Sequence, residues 1–206
     1  MKRNAGMTLV ELIIVTAVLT MLMGMLYTMA LTLQRAAADQ ESKITTEDDV
    51  RGGMLLLVRQ LRQSATSSID WSTLPGPAIT FRKAEDVDGN GLAVDQGGFL
   101  ELSGQWMIQR DVDDLNNDGQ TVRQLILTDG SQVTVLANGL ILNEDGDSNG
   151  TLDTGEDSNA NEALDRGVWF EPSGTGVRVT LQAERVSGPR GTRMLSTLST
   201  LVLPRN

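Results

Sequence analysis

The sequence predicts an α+β chain: a long N-terminal helix followed by an antiparallel β domain with acidic loops inserted in it. Three observations carry that expectation. No charged side chain occurs from Leu12 to Leu33. A second stretch then repeats apolar residues at helical spacing. Beyond Ser64 the pattern turns to short β-like runs separated by Gly, Pro, Asn and Asp, and a helix followed by consecutive strands reads as α+β.

The helix comes first. Leu12 to Leu33 would be about 33 Å long at 1.5 Å per residue, enough to cross a hydrocarbon core of ~30 Å. Lys2 and Arg3 precede it, which places the N-terminus inside and the C-terminal bulk outside. Gln34 to Lys43 is rich in good helix formers. Val50, Met54, Leu57 and Leu61 then recur on one face, with Leu55 and Val58 widening the stripe. The expected result is one helix from about Thr8 to Ser64, half in lipid and half packed on a sheet. Thr46 with Asp49 also spells a capping box, and Gly52-Gly53 weakens a helix by ~1 kcal/mol per residue. The sequence therefore allows a break near residues 44–53.

The strands follow in order. Ala78–Phe81, Phe99–Ser103 and Gln105–Gln109 are the first candidates. Leu125–Leu127 and Val133–Val135 flank Asp129-Gly130 and read as a hairpin, because Asp-Gly supplies the positive φ of a tight turn. Leu140–Leu142, Val168–Phe170, Val177–Leu181 and Thr200–Leu203 complete the set. Trp106, Trp169, Phe81, Phe99 and Phe170 lie in or beside these runs and are expected in the core.

Composition excludes several functions. The 206 residues carry a net charge of −10, which argues against a nucleic-acid partner. There is no Cys, hence no disulfide framework or zinc-thiolate site. There is no His, hence no Ser-His-Asp triad and none of the commonest general base. No nucleophile–base pair is visible, and the chain is not expected to be an enzyme.

Glu11 is the most informative single residue. A carboxylate within a membrane helix costs roughly 2.5–3.5 kcal/mol and marks a functional partner. An ordinary secretory signal has an apolar run of only ~7–15 residues and rarely holds Glu so early in it. The motif Gly6-Met7-Thr8-Leu9-Val10-Glu11, followed by the apolar span, resembles the type IV pilin and type II secretion pseudopilin family. That resemblance implies a prepilin peptidase that removes residues 1–6 on the cytoplasmic side and methylates Met7. It also implies that Glu11 pairs with the processed amine of a neighbouring subunit. Met7 stands where the family usually has Phe, and Thr28 where many major pilins have Pro, which points to a minor subunit. Leu57–Gln63, Val135–Ile141, Gly176–Leu181 and Leu201–Asn206 are similar to J-type minor pseudopilins and W-type minor pilins. Residues 7–33 and 34–64 are then the membrane and extramembrane halves of the helix, and 65–206 the globular domain. In that branch the subunit sits near a filament tip, helps initiate assembly with other minor and major subunits, and contacts secreted cargo.

A second signal lies in the insertion at 143–167. Asp145, Asp147, Asn149, Gly150, Thr151, Asp153 and Glu156 fit the calcium loop D-x-[DN]-x-[DN]-G-x5-E position by position. The acids and Asn149 offer hard oxygens, Thr151 its carbonyl, and Glu156 a bidentate closing carboxylate. Twelve residues later Asp157, Asn159, Asn161 and Asp165 repeat the pattern, with Leu164 matching Leu152. Glu162 replaces the turn glycine and Val168 the closing Glu. These loops are expected inside a β hairpin, binding Ca2+ at ~10⁻⁴–10⁻³ M. The competing reading is a solvated acidic loop. Asp86–Gly91 and Asp114–Gly119 open in the same way, but meet Gly97 and Leu125 at the closing position. They read equally as Asx-rich turns.

Two functions remain. One is a calcium-stabilised pilin-like filament subunit. The other is a membrane-tethered, calcium-dependent adhesin or cargo-binding module that never polymerises.

Overall fold

The computed structural model describes residues 8–146, 150–153, 155–158, 161–187 and 191–205. A single helix, α1 (Leu9–Arg62), runs without interruption. The break allowed near 44–53 does not occur. Thr46 is buried inside the helix and its hydroxyl donates to the Ser42 carbonyl at 2.8 Å, so it serves the turn behind it and caps nothing.

The first half of α1 is apolar all round and lies free of the domain. Its most apolar 18-residue window has a mean hydropathy of 2.4 and none of it is buried. The threonines there hide their hydroxyls: Thr16 donates to Leu12 and Ile13, and Thr32 to Thr28. No polar side chain of these turns then needs water, as a lipid setting demands. The helix is long and apolar enough to cross a membrane.

The second half changes character. Thr46, Val50, Gly53, Met54, Leu57 and Leu61 form one buried stripe. Leu55, expected to widen it, is 71 % exposed, because its position turns away from the sheet; Val58 does pack against the core.

Seven strands follow among the described residues. β1 (Ile79–Ala84), β2 (Leu102–Arg110), β3 (Gln124–Thr128) and β4 (Val133–Asn138) form one antiparallel sheet in that order. β5 (Val168–Ser173), β6 (Gly176–Ser187) and β7 (Thr192–Val202) form a second. The two candidate runs around Gly104 join in one strand, and the pairing with β1 slips by one residue there, from Arg82 opposite Gln105 to Ala84 opposite Leu102. Leu140–Leu142 is not a strand. It stitches the two sheets instead: Leu140 bridges Ala183, and the Ile141 amide donates to the Gln182 carbonyl at 3.1 Å.

The helix lies over that seam. Leu57, Leu61, Phe81, Ile108, Leu125, Phe170, Val179 and Leu181 are wholly buried in one core; each large apolar side chain contributes roughly 1.5–3 kcal/mol on burial. Trp169 is buried and Trp106 partly so, but Phe99 is 73 % exposed in the loop before β2 and is no core residue. The Ser187 hydroxyl donates to Asp39, and the Ala84 amide to the Gln63 carbonyl at 3.0 Å. The domain thus spans α1 from Asp39 to Gln63, about 36 Å along the axis. The β1–β2 loop leaves from the end farthest from the apolar half.

Two adjacent glycines in α1 have opposite settings. A Cβ on Gly53 would stand 2.5 Å from the Ala137 Cβ and 3.3 Å from both the Leu136 carbonyl and Leu181, whereas one on Gly52 would meet nothing within 4 Å. Gly52→Ala is expected to stabilise the domain by about 1 kcal/mol through helix propensity. Gly53→Ala is expected to destabilise it by about 1–3 kcal/mol by wedging the helix off the seam. Thermal melts of the two variants check the pair, and equal effects would contradict this packing.

Candidate functional site

Two regions carry chemistry: the start of α1 and the acidic loops. At the helix start, Thr8 is the N-cap and Glu11 the third helical residue. The Glu11 amide donates to Thr8 Oγ1 at 3.3 Å, and Glu11 Oε2 accepts from the Thr8 amide at 2.8 Å and its hydroxyl at 3.0 Å. This is a reciprocal capping box. Thr8-x-x-Glu11 spells it in the sequence, so Glu11 carries a capping signal as well as a charge. Gly6 and Met7 lie outside the described residues.

The acidic segment does not sit in a hairpin as expected. It connects β4 to β5, which belong to different sheets, and so forms a crossover. Of its candidate ligands, Asp147, Asn149 and Asn159 lie outside the described residues. The others are built as follows. Asp145 is buried; its Oδ1 accepts from the Gly150 amide at 3.1 Å, and Gly150 takes φ +81°. Glu156 folds back over the loop, accepting from the Gly146 amide at 2.9 Å and the Asp153 amide at 3.1 Å. Thr151 and Asp153 are exposed on the same loop.

The second repeat shares with the first the bond from the turn amide to the opening aspartate and the positive φ of the turn residue. Asp157 accepts from the Asn161 amide at 3.1 Å and the Glu162 amide at 3.0 Å. Glu162 takes φ +59°, the conformation of the glycine it replaces. Asp165 turns inward: Oδ2 accepts from Asn161 Nδ2 at 2.7 Å and Oδ1 from Gln182 Nε2 on β6 at 2.9 Å. Glu144, absent from the calcium pattern, is buried and ties the start of the first repeat to the second, accepting from the Ser158 amide at 2.8 Å and the Asp165 amide at 3.4 Å. Its position one residue before the motif gives no sequence signal.

The loops at 86 and 114 share this geometry. Asp86 accepts from the amides of Gly89, Asn90 and Gly91, and Asp114 from those of Asp118 and Gly119. What differs is the closing group. Glu101, just before β2, supplies the carboxylate missing at Gly97: it accepts from the Val87 amide at 2.6 Å. Oxygens of Asp86, Asp88 and Glu101 lie within 4.8 Å of one another, a spacing a metal ion can bridge. A twelve-residue frame misses Glu101 because the loop is longer than that frame and strand pairing closes it. In the β2–β3 loop, Gln124 Nε2 donates to Asp118 at 2.7 Å. At the base of that loop Asp111 is fully buried; Oδ1 accepts from the Leu115 amide at 3.0 Å, and Oδ2 has no hydrogen-bond partner.

Residues 1–27 match the prokaryotic N-terminal methylation motif. No curated protein and no solved structure matches the chain.

Hydrogen bonds from loop amides, chiefly Gly91, hold Asp86 below the usual carboxylate range, and the Gln124 amide does the same for Asp118. The Gln132 amide in the β3–β4 turn does so for Asp129. A lowered folded value stabilises the fold above the unfolded value of about 3.9 and loses that contribution as pH falls through the folded one. The melting temperature is therefore expected to hold from neutral pH to about pH 4–5 and to fall steeply below. A melt that stays flat down to pH 2 would contradict the loop geometry.

Proposed function

We propose that this chain is a minor pilin or pseudopilin subunit, anchored once in the inner membrane, with its domain on the outer side and stabilised there by calcium. The observation that carries the reading is the N-terminal methylation motif running directly into an unbroken helix whose third residue is Glu11. The minor role rests on the resemblance along the chain and on Thr28.

Prepilin peptidase cuts after Gly6 and leaves Met7 as a methylated terminus. In a lone chain the Glu11 carboxylate is bonded to Thr8 through Oε2, and a carboxylate has a second oxygen to offer. In a filament that oxygen meets the terminal amine of a neighbour. In lipid such a pair is far less screened than in water. Gly6 replaced by a bulky residue is expected to abolish processing. Glu11→Val is expected to leave processing intact and to lower filament incorporation. Sequencing of the mature N-terminus and shearing assays read the two. Incorporation of an uncut Gly6 variant would sink the proposal.

Calcium is the second part. Three features favour it: the four loops of one geometry, the three gathered oxygens of Asp86, Asp88 and Glu101, and the orphaned Oδ2 of buried Asp111. Hard oxygens at this spacing suit Ca2+ better than transition metals. Calcium in excess over EDTA is expected to raise the melting temperature by mass action, and Glu101→Gln to reduce that gain. An unchanged melt with no calcium by elemental analysis would remove this part and leave the filament reading untouched.

A further inference from the structure

We propose that the β2–β3 loop is a calcium site of its own, closed by the buried carboxylate of Asp111. The inference rests on the calcium reading above and names a ligand that lies outside the sequence motif. Asp111 directly follows β2 and is wholly buried. Its amide donates to the Gln124 carbonyl at 3.0 Å, and its carbonyl accepts from the Val122 amide. These bonds tie the two ends of the segment 111–124 together. The side chain turns inside that closure. Its Oδ1 accepts at 3.0 Å from the amide of Leu115, the residue after Asp114. Oδ2 belongs to the same carboxylate, and no donor of the described chain reaches it.

A buried carboxylate needs a counter-charge or donors for its oxygens. Among the described residues Asp111 has no ion pair. Arg110, the preceding residue, spends its guanidinium on the Val122 and Arg166 carbonyls, and Arg123 reaches Glu184 at 3.9 Å. Asp113, Asp114 and Asp118 add negative charge, and no Lys or Arg lies between Arg110 and Arg123. The other acids are already engaged. Asp114 takes the amides of Asp118 and Gly119, and Asp118 Oδ2 takes the side-chain amides of Asn116 and Gln124. These bonds shape the loop and leave Asp111 as the carboxylate in need of a cation.

Asp111 also stands where a closing ligand is missing. The pattern that opens at Asp114 meets Leu125 at its closing position. Arg110 is the strand partner of Leu125, and Asp111 comes next. Strand pairing therefore delivers a carboxylate here, as it delivers Glu101 to the β1–β2 loop. The oxygens on offer are carboxylate, side-chain amide and backbone carbonyl, hard donors that calcium accepts in flexible number. Magnesium demands near-ideal octahedral geometry and suits such a loop less.

The test uses the full chain in detergent micelles with calcium alone as the probe, read by calorimetric titration and by melting with and without EDTA. Asp111→Asn keeps the side-chain shape and an acceptor for the Leu115 amide. It is expected to bind one ion fewer than the parent and to gain less stability from calcium. In EDTA it should melt no lower than the parent, since an uncompensated charge has gone. Adding Glu101→Gln should remove a second ion. If Asp111→Asn binds as many ions as the parent, and only Glu101→Gln loses one, the Asp111 site is wrong and the calcium reading survives. If no form binds calcium, both fall. Hydrogen exchange of the segment 111–124 in Glu101→Gln gives a readout that does not depend on the Asn variant folding. Calcium at about ten times its Kd should slow exchange there about tenfold, and unchanged exchange would overturn the site.

Discussion

The constraint on which this molecule rests is that α1 must satisfy two media within one uninterrupted helix. Its first half can bury nothing in the domain, which spans only Asp39 to Gln63. Its second half must bury a stripe without covering its own charged face. Both demands are met by periodicity. An all-round apolar helix suits lipid, and a single stripe suits a sheet. Gly53 is where the second demand is most exacting, since the helix meets both β4 and β6 through the gap a glycine leaves. With the helix seated there, Leu57 and Leu61 reach the core, and the seam stitched by Leu140 and Ile141 is covered.

The loops depend on that framework through their ends. Four segments open on an aspartate that accepts the amide five residues on, and in the loops at 86, 114 and 157 the amide four residues on as well, yet each is completed differently. The β1–β2 loop is closed by Glu101, which strand pairing delivers, and the 145 loop by Glu156 from within. The 157 loop is pinned to β6 through Asp165 and Gln182. Arg110 ties two of the regions, donating to the Val122 carbonyl at the base of the β2–β3 loop and to the Arg166 carbonyl in the crossover. Burial pushes Arg110 down to about 10, so it remains charged at neutral pH. The acidic loops are therefore a connected edge of the domain, not independent appendages.

Much of this was readable from the residues. The helix extent, the hairpin at Asp129-Gly130 and the twelve-residue repeat follow from local rules, and local rules are what a sequence displays. Glu162 is the clearest case: the repeat assigned it a glycine's place, and it has a glycine's φ. The misses share a cause. β7 begins at Thr192, well before the expected Thr200, because its leucines at 195, 198 and 201 recur every third residue. That spacing fits neither the strand period nor the helix period; Leu195 and Leu201 are exposed while Leu198 packs on the core. Leu140–Leu142 reads as a strand because it is apolar and flanked by turns, yet its partner is part of another sheet. Glu101 and Arg166 are placed by chain segments distant in sequence, which composition cannot reveal, while Phe99 is turned outward by a local turn closed on Asp95.

Buried acids show the same point in energetic form. Glu144, Asp145, Asp165 and Asp111 are all hidden from solvent, and burying a carboxylate is costly unless it is paired or hydrogen-bonded. Glu144 and Asp165 are met by amides and by the hydroxyl of Ser158, groups with no net charge. Asp145 is met by a guanidinium. Asp111 is met on one oxygen only. These settings rank the need for an external cation: lowest where amides fill both oxygens, intermediate where a cation from the same chain does so, highest where an oxygen is left over. On the calcium proposal, metal dependence follows that ranking, which counting acids per loop does not give. By count the crossover holds the richest supply, yet there the chain itself provides most of the compensation.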